Sequence, residues 1–145
     1  MADVWSFDLE GQWAWTPIEP AGATPMPARH AHSVVWAHSR TVWIFGGMDA
    51  ARELRQDLWE LKLPPPGGGA AAQVAPLLHT CSDCSRPEAR ALHAAASDHR
   101  GTMWVFGGQT FSTGAATSTI VYLADLWRVR CRPAPDGSCA SSWGA

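Results

Sequence analysis

Two seven-residue segments constrain this chain more than any other feature: Thr41-Val42-Trp43-Ile44-Phe45-Gly46-Gly47 and, sixty-one positions later, Thr102-Met103-Trp104-Val105-Phe106-Gly107-Gly108. Each is an apolar run closed by two glycines. Apolar residues at consecutive positions suit a strand covered on both faces, and glycine tolerates the backbone angles of a tight bend. The expectation is a buried strand that ends at the glycine pair, built twice. No catalytic group recurs with it, so function reads only as far as a binding module.

A second pattern keeps step with the first. Asp3-Val4-Trp5, Asp57-Leu58-Trp59 and Asp125-Leu126-Trp127 each open a stretch of alternating residues. Trp5, Trp59 and Trp127 should share one strand face with Phe7, Leu61 and Val129, while Ser6, Glu60 and Arg128 vary freely on the other. Upstream of each glycine pair stands Arg-x-x-His: Arg29 with His32, and Arg90 with His93, again sixty-one apart. Gly46 follows His32, and Gly107 follows His93, by fourteen positions. That leaves room for two short strands and a tight turn, at His38-Ser39-Arg40 and Asp98-His99-Arg100-Gly101. Trp13 and Trp15 read as one face of a further short strand, with a loop from Pro17 to Pro27.

After the glycines the copies diverge. Asp57 follows Gly47 by ten positions and Asp125 follows Gly108 by seventeen. The longer insertion, Gln109 to Val121, has the composition of a surface loop with Phe111 as its apolar tip. Pro64 to Ala72 reads as a low-complexity spacer without chemistry.

The chain has 145 residues, 46% of them apolar, enough for one domain core. A net charge of -2 with scattered basic residues gives no surplus to neutralise phosphates, which argues against nucleic acid. No window approaches a membrane-spanning length, and the acidic start Met1 to Asp8 lacks the features of a secretory leader, so an intracellular location is expected. Five of the nine tryptophans occupy repeating positions and read as core anchors.

A unit reading Arg-x-x-His, strand, turn, apolar strand, Gly-Gly, loop, Asp-aliphatic-Trp strand and a final strand resembles the kelch repeat. The resemblance implies an all-β chain of kelch-type β-propeller blades, each of four antiparallel strands, in an incomplete ring. Residues 1–145 would be a single partial domain: 1–18 the last two strands of a blade, 29–78 a full blade and 90–145 a second. Arg29, His32, Gly46, Gly47, Asp57 and Trp59 in one unit, and Arg90, His93, Gly107, Gly108, Asp125 and Trp127 in the other, would be structural repeat residues. Val74 stands where a fourth-strand tryptophan is expected, and the last fourth strand falls at Ser141-Ser142-Trp143. Only about ten strands are legible, short of a closed ring, which implies either a fragment of a longer protein or self-association. The final unit would then leave its Trp104 and Trp127 faces uncovered.

The resemblance implies a non-catalytic protein-protein interaction scaffold, with another protein as partner and no cofactor. Loops that vary on a constant frame suit recognition, which points to Met48–Gln56 and Gln109–Val121 and, within them, to Arg52, Arg55, Gln109, Phe111 and Thr113. The alternative is part of a larger kelch-containing enzyme, an oxidase or sugar-processing protein, whose catalytic groups lie outside this chain. A copper-radical oxidase of this fold would use two tyrosines, and the chain has only Tyr122. The E-x-x-x-D-x-x-x-H iron site of plant specifier proteins is matched by Glu53 and Asp57, but Leu61 replaces the histidine. Each Arg-His pair, as a repeated feature, should satisfy backbone carbonyls between blades rather than hold a metal or phosphate. Cys81, Cys84, Cys131 and Cys139 lack the spacing of a zinc site. Reduced thiols are expected, with Cys81–Cys84 or Cys131–Cys139 disulfides the extracellular alternative.

Overall fold

The computed structural model describes residues 3–9, 11, 13–21, 24–65, 71–77, 86–112, 119–133 and 139–144, with only the backbone of 132–133 and 139–141. Among these the chain is all-β: β1 (Val4–Phe7), β2 (Trp15–Ile18), β3 (Arg29–His30), β4 (Ser33–His38), β5 (Thr41–Phe45), β6 (Met48–Asp49), β7 (Leu58–Lys62), β8 (Gln73–Pro76), β9 (Ala94–Ser97), β10 (Thr102–Ser112), β11 (Thr119–Pro133) and β12 (Cys139–Gly144). Four of them form one antiparallel sheet, in the order β4-β5-β7-β8, and β9-β10-β11-β12 form another. A β1-β2 hairpin and a two-residue β3-β6 ladder complete the set, and none of the sheets closes on itself.

The first sheet is covered on both faces over β5, β7 and β8, which is why those strands are so apolar, whereas Val34 and Trp36 on the outward face of β4 are exposed. Toward the second sheet it presents Val35, Ala37, Trp43, Phe45 and Leu58, which pack against Met103, Val105, Val129 and Trp143. Its opposite face carries Ile44, Trp59, Leu61 and Val74, under Val4, Ile18 and Met26. Glu60, expected to be freely variable, lies on the inter-sheet face instead. It is buried, accepts a hydrogen bond from the Trp43 indole at 3.5 Å and pairs with Lys62 at 3.0 Å. Ala72, placed in a spacer by its sequence, is also in the core, with its carbonyl bonded to Ala21 N.

Backbone hydrogen bonds tie the two sheets together: Arg90 O accepts from Gly47 N at 2.9 Å, Ala31 O from Leu92 N at 3.0 Å, and Ala37 O from Gly101 N at 3.2 Å. Ala31 and Leu92, at matching places in Arg-x-x-His, both have positive φ, 55° and 56°. The same bend is therefore imposed on non-glycine residues twice, held by contacts the rest of each unit supplies.

The glycine pairs behave differently in the two copies. Gly46 and Gly47 end β5, as expected. Gly107 and Gly108, with φ of 63° and 98°, make only a bulge, and β10 runs on to Ser112. The expected loop Gln109–Val121 is thus mostly strand: Gln109 pairs with Tyr122, Phe111 with Ile120 and Ser112 with Thr119. The seven extra residues let the chain fold back on itself, whereas the nine between Gly47 and Asp57 permit only the Met48–Asp49 ladder against Arg29–His30. Trp13 has φ 53° and lies outside β2, so Trp13 and Trp15 do not share a strand.

The tryptophans divide by whether a neighbour covers them. Trp43, Trp59 and Trp143 are buried, while Trp5 is 51% exposed. On the second sheet Trp127 packs toward the first sheet, contrary to expectation, because it sits on the face shared with Val129. The uncovered face is that of Phe106 and Leu126, 54% and 55% exposed, which pair across β10 and β11.

Candidate functional site

Each four-stranded sheet is locked by the same clamp. In the first, Arg29 Nη1 and Nη2 donate to Asp57 Oδ1 and Oδ2 at 2.7 and 2.9 Å, and Nη1 also donates to Gly46 O at 3.0 Å. In the second, Arg90 Nη1 and Nη2 donate to Asp125 at 2.6 and 2.8 Å, with Nη1 to Gly107 O at 3.0 Å. The indole two residues on completes it: Trp59 Nε1 donates to Asp57 Oδ2 at 2.6 Å and Trp127 Nε1 to Asp125 Oδ2 at 2.5 Å. A planar guanidinium matches a carboxylate bidentately, and here it also ties down the glycine carbonyl at the bend. Burial opposes ionisation of Asp57, yet the bonds from Arg29 and Trp59 outweigh it and keep its pKa below the ordinary value. At Asp125 the Arg90 bonds dominate and bring the pKa down to about 2.

The expectation that each arginine and histidine bridges units through carbonyls needs correction. Each arginine side chain acts within its own unit, on a carboxylate as well as on the carbonyls of Gly46 or Gly107, and of the two histidines it is His93 that bridges, while His32 is exposed. His93 Nε2 shares a 2.7 Å hydrogen bond with the Ser33 hydroxyl of the first sheet, and its ring meets Phe45 edge-on at 5.2 Å. Burial, with Arg90 and His32 nearby, pushes its pKa down to about 4. Asp57 and Asp125 were visible as repeat residues, but their partnership with the arginines was not. The available signal was that the Arg-to-Asp spacing grows from 28 to 35, the same seven residues by which the insertions differ.

Around this frame lie the segments expected to meet a partner. Arg55 is engaged: its guanidinium pairs with Asp49 and, at 3.3 Å, with Glu53, and its carbonyl accepts from Arg90 N. Asp49 is held below its ordinary pKa first by the Glu53 backbone N–H and then by Arg55. Arg52, exposed and at φ 64°, makes no side-chain hydrogen bond or ion pair among the described residues. It edges a shallow depression of about 290 Å³ that Arg29, His30 and Asp49 also line. Gln109 is half-buried in β10 and exchanges backbone bonds with Ala91, as Met48 pairs with His30 in the first copy. Phe111, half-buried, lies along the β10–β11 hairpin rather than at a loop tip, and Thr113 falls outside the described residues. The two segments thus occupy matching places in successive sheets with different forms, one a compact turn and the other a long hairpin.

Among the described residues no three His, Cys, Asp or Glu side chains converge as a metal ion would require. Glu53 and Asp57, spaced as in an iron site, are separately engaged by Arg55 and Arg29. Cys131 is disulfide-bonded, which corrects the expectation of reduced thiols for that residue; Cys81, Cys84 and the Cys139 side chain lie outside the described set. No known family model matches the chain.

Proposed function

We propose that this chain is a kelch-type β-propeller segment that serves as a protein-protein interaction scaffold. The two four-stranded sheets are then successive blades, and β1-β2 is the outer half of another. The observation that carries this reading is the duplicated Arg-Asp-Trp clamp with its glycine carbonyl. It fixes the frame identically in both sheets while the segments immediately beyond the glycines take different forms. A constant frame with variable projections is how a recognition surface is diversified without cost to the core. The binding face is assigned to 48–56 and to the β10–β11 hairpin, with Arg52 supplying an unpaired cation and Phe111 an aromatic anchor.

The test is affinity capture with the 145-residue chain, followed by titration of the recovered partner against Arg52→Ala/Phe111→Ala. A loss of affinity of about tenfold or more supports the assignment. Undiminished affinity removes these residues from the binding face.

A further inference from the structure

The two ends of the four-stranded sheets differ in how their charges are matched. At the glycine-pair end Arg29, Arg55 and Arg90 each have a carboxylate of their own, on Asp57, Asp49 and Asp125. The opposite end is marked by the register, which sets Thr41 beside Lys62 and Thr102 beside Arg130. There the β4–β5 turn, residues 38–40, and the β9–β10 turn, residues 98–101, project side by side. They are joined because Gly101 N donates to Ala37 O at 3.2 Å and Ser97 Oγ to Trp36 O at 2.5 Å. Arg40, Arg100 and Arg130, scattered along the sequence, are thereby gathered at one end.

All three are exposed, and none pairs with an acid among the described residues. Arg100 and Arg130 make no side-chain hydrogen bond among those residues either. Arg40 engages only its Nε, with the carbonyls of Leu63 and Pro64 at 3.4 and 2.6 Å. The described acids nearest in register are already committed. Asp98 Oδ1 accepts from Arg100 N and Thr102 N at 2.8 and 3.0 Å, and Glu60 is buried and paired with Lys62. The Asp98 bonds also fix the backbone that carries Arg100, as does His99, whose Nδ1 donates to Trp36 O at 3.1 Å. Cations held on an ordered support lose little freedom when an anion meets them.

We infer that this turn end is a second interaction surface, for a short acidic segment of a partner protein that carries several aspartates or glutamates. Guanidinium groups grip carboxylates bidentately, as Arg29 and Arg90 do inside this molecule. A nucleic acid or an anionic bilayer is the poorer occupant. Its charge extends well beyond three arginines and faces a chain whose net charge is -2. A short segment feels only the charges within about 8 Å, the screening length at physiological ionic strength. The surface lies at the opposite end from residues 48–56 and the tip of the β10–β11 hairpin, so it stands independently of the binding face assigned above.

The probe is a fluorescently labelled peptide of alternating glutamate and glycine, titrated with the 145-residue chain and followed by polarisation at low salt. Saturable binding is expected, lost when glutamine replaces glutamate in the peptide and weakened as salt is raised toward physiological strength. Arg100→Gln/Arg130→Gln should weaken it about fivefold or more, and Arg40→Gln should weaken it further. Neither Arg100 nor Arg130 has a side-chain bond to lose among the described residues, so an unchanged circular dichroism spectrum and Tm should accompany the weaker binding. Absence of saturable binding overturns the proposal, as does binding that the double variant leaves unchanged. A loss that follows Arg52→Gln instead places the peptide at the glycine-pair end and also overturns it. Tighter binding to a single-stranded DNA oligonucleotide, or to vesicles containing phosphatidylserine, than to the acidic peptide overturns it by giving the surface to another class of partner.

Discussion

Replacing Arg90 by methionine tests whether the clamp, rather than generic apolar packing, fixes the bend in each unit. The Arg90 side chain is fully buried, and three of its polar contacts lie at 3.0 Å or less. Methionine keeps most of the apolar stem. The Asp125 carboxylate is two-fifths exposed and keeps its Trp127 bond, so water can solvate it after the change. The lost pair therefore contributes only about 1 kcal/mol, because exposure screens it. The Gly107 carbonyl, on a buried residue, loses its side-chain donor at a cost of about 1–2 kcal/mol, and the weaker bond to Glu88 O adds less. The total is about 3 kcal/mol, equivalent to a fall in Tm of about 10 °C for a chain of this size. Arg29→Met should match it within about 1 kcal/mol, since its clamp has the same geometry. Asp125→Asn should cost more, about 3–5 kcal/mol, because it leaves a buried guanidinium without an anion. Urea unfolding followed by tryptophan fluorescence gives all three values. If Arg90→Met costs under about 1 kcal/mol, or Asp125→Asn proves the milder change, the guanidinium is not desolvated and the clamp is not what holds the bend.

His93 makes stability pH-dependent: with a folded pKa of about 4 against 6.5, it costs nothing above pH 6.5 and destabilises progressively as pH falls toward 4. The loss reaches about 3 kcal/mol, and His93→Gln should flatten that stretch of the stability-pH curve relative to the parent. Gly47→Ala places a Cβ 2.7 Å from His30 O at φ 89°, and should cost about 3 kcal/mol or more in thermal unfolding. Gly107→Ala, whose nearest neighbour is Leu123 O at 3.0 Å, should cost less, and equal losses would contradict the close approach. The uncovered face of the second sheet should make the isolated chain self-associate in sedimentation experiments. Phe106→Glu/Leu126→Lys should suppress that association, whereas a parent chain that stays monomeric at every concentration refutes the expectation.

The sequence by itself determined the repeat and much of the strand order. Residues at matching positions must meet matching surroundings, so Thr41–Phe45 and Thr102–Phe106 announced equivalent strands, and Asp57-Leu58-Trp59 and Asp125-Leu126-Trp127 their partners. The turns at residues 38–40 and 98–101 followed from the fourteen-residue spacing. What spacing cannot convey is which polar groups converge. Arg90 and Asp125 are 35 residues apart in the chain and 2.6 Å apart in space, because antiparallel pairing of β10 with β11 carries the aspartate back to the glycine bend. The tertiary structure likewise decided that Glu60 is buried, that Trp127 faces inward, and that Arg55 is engaged while Arg52 makes no side-chain bond among the described residues. It also showed that Gln109–Val121 is largely a hairpin, since loop composition does not exclude strands that pair mainly with each other. Burial and pairing are properties of the neighbours a residue acquires, and those are settled only when one sheet is laid against another.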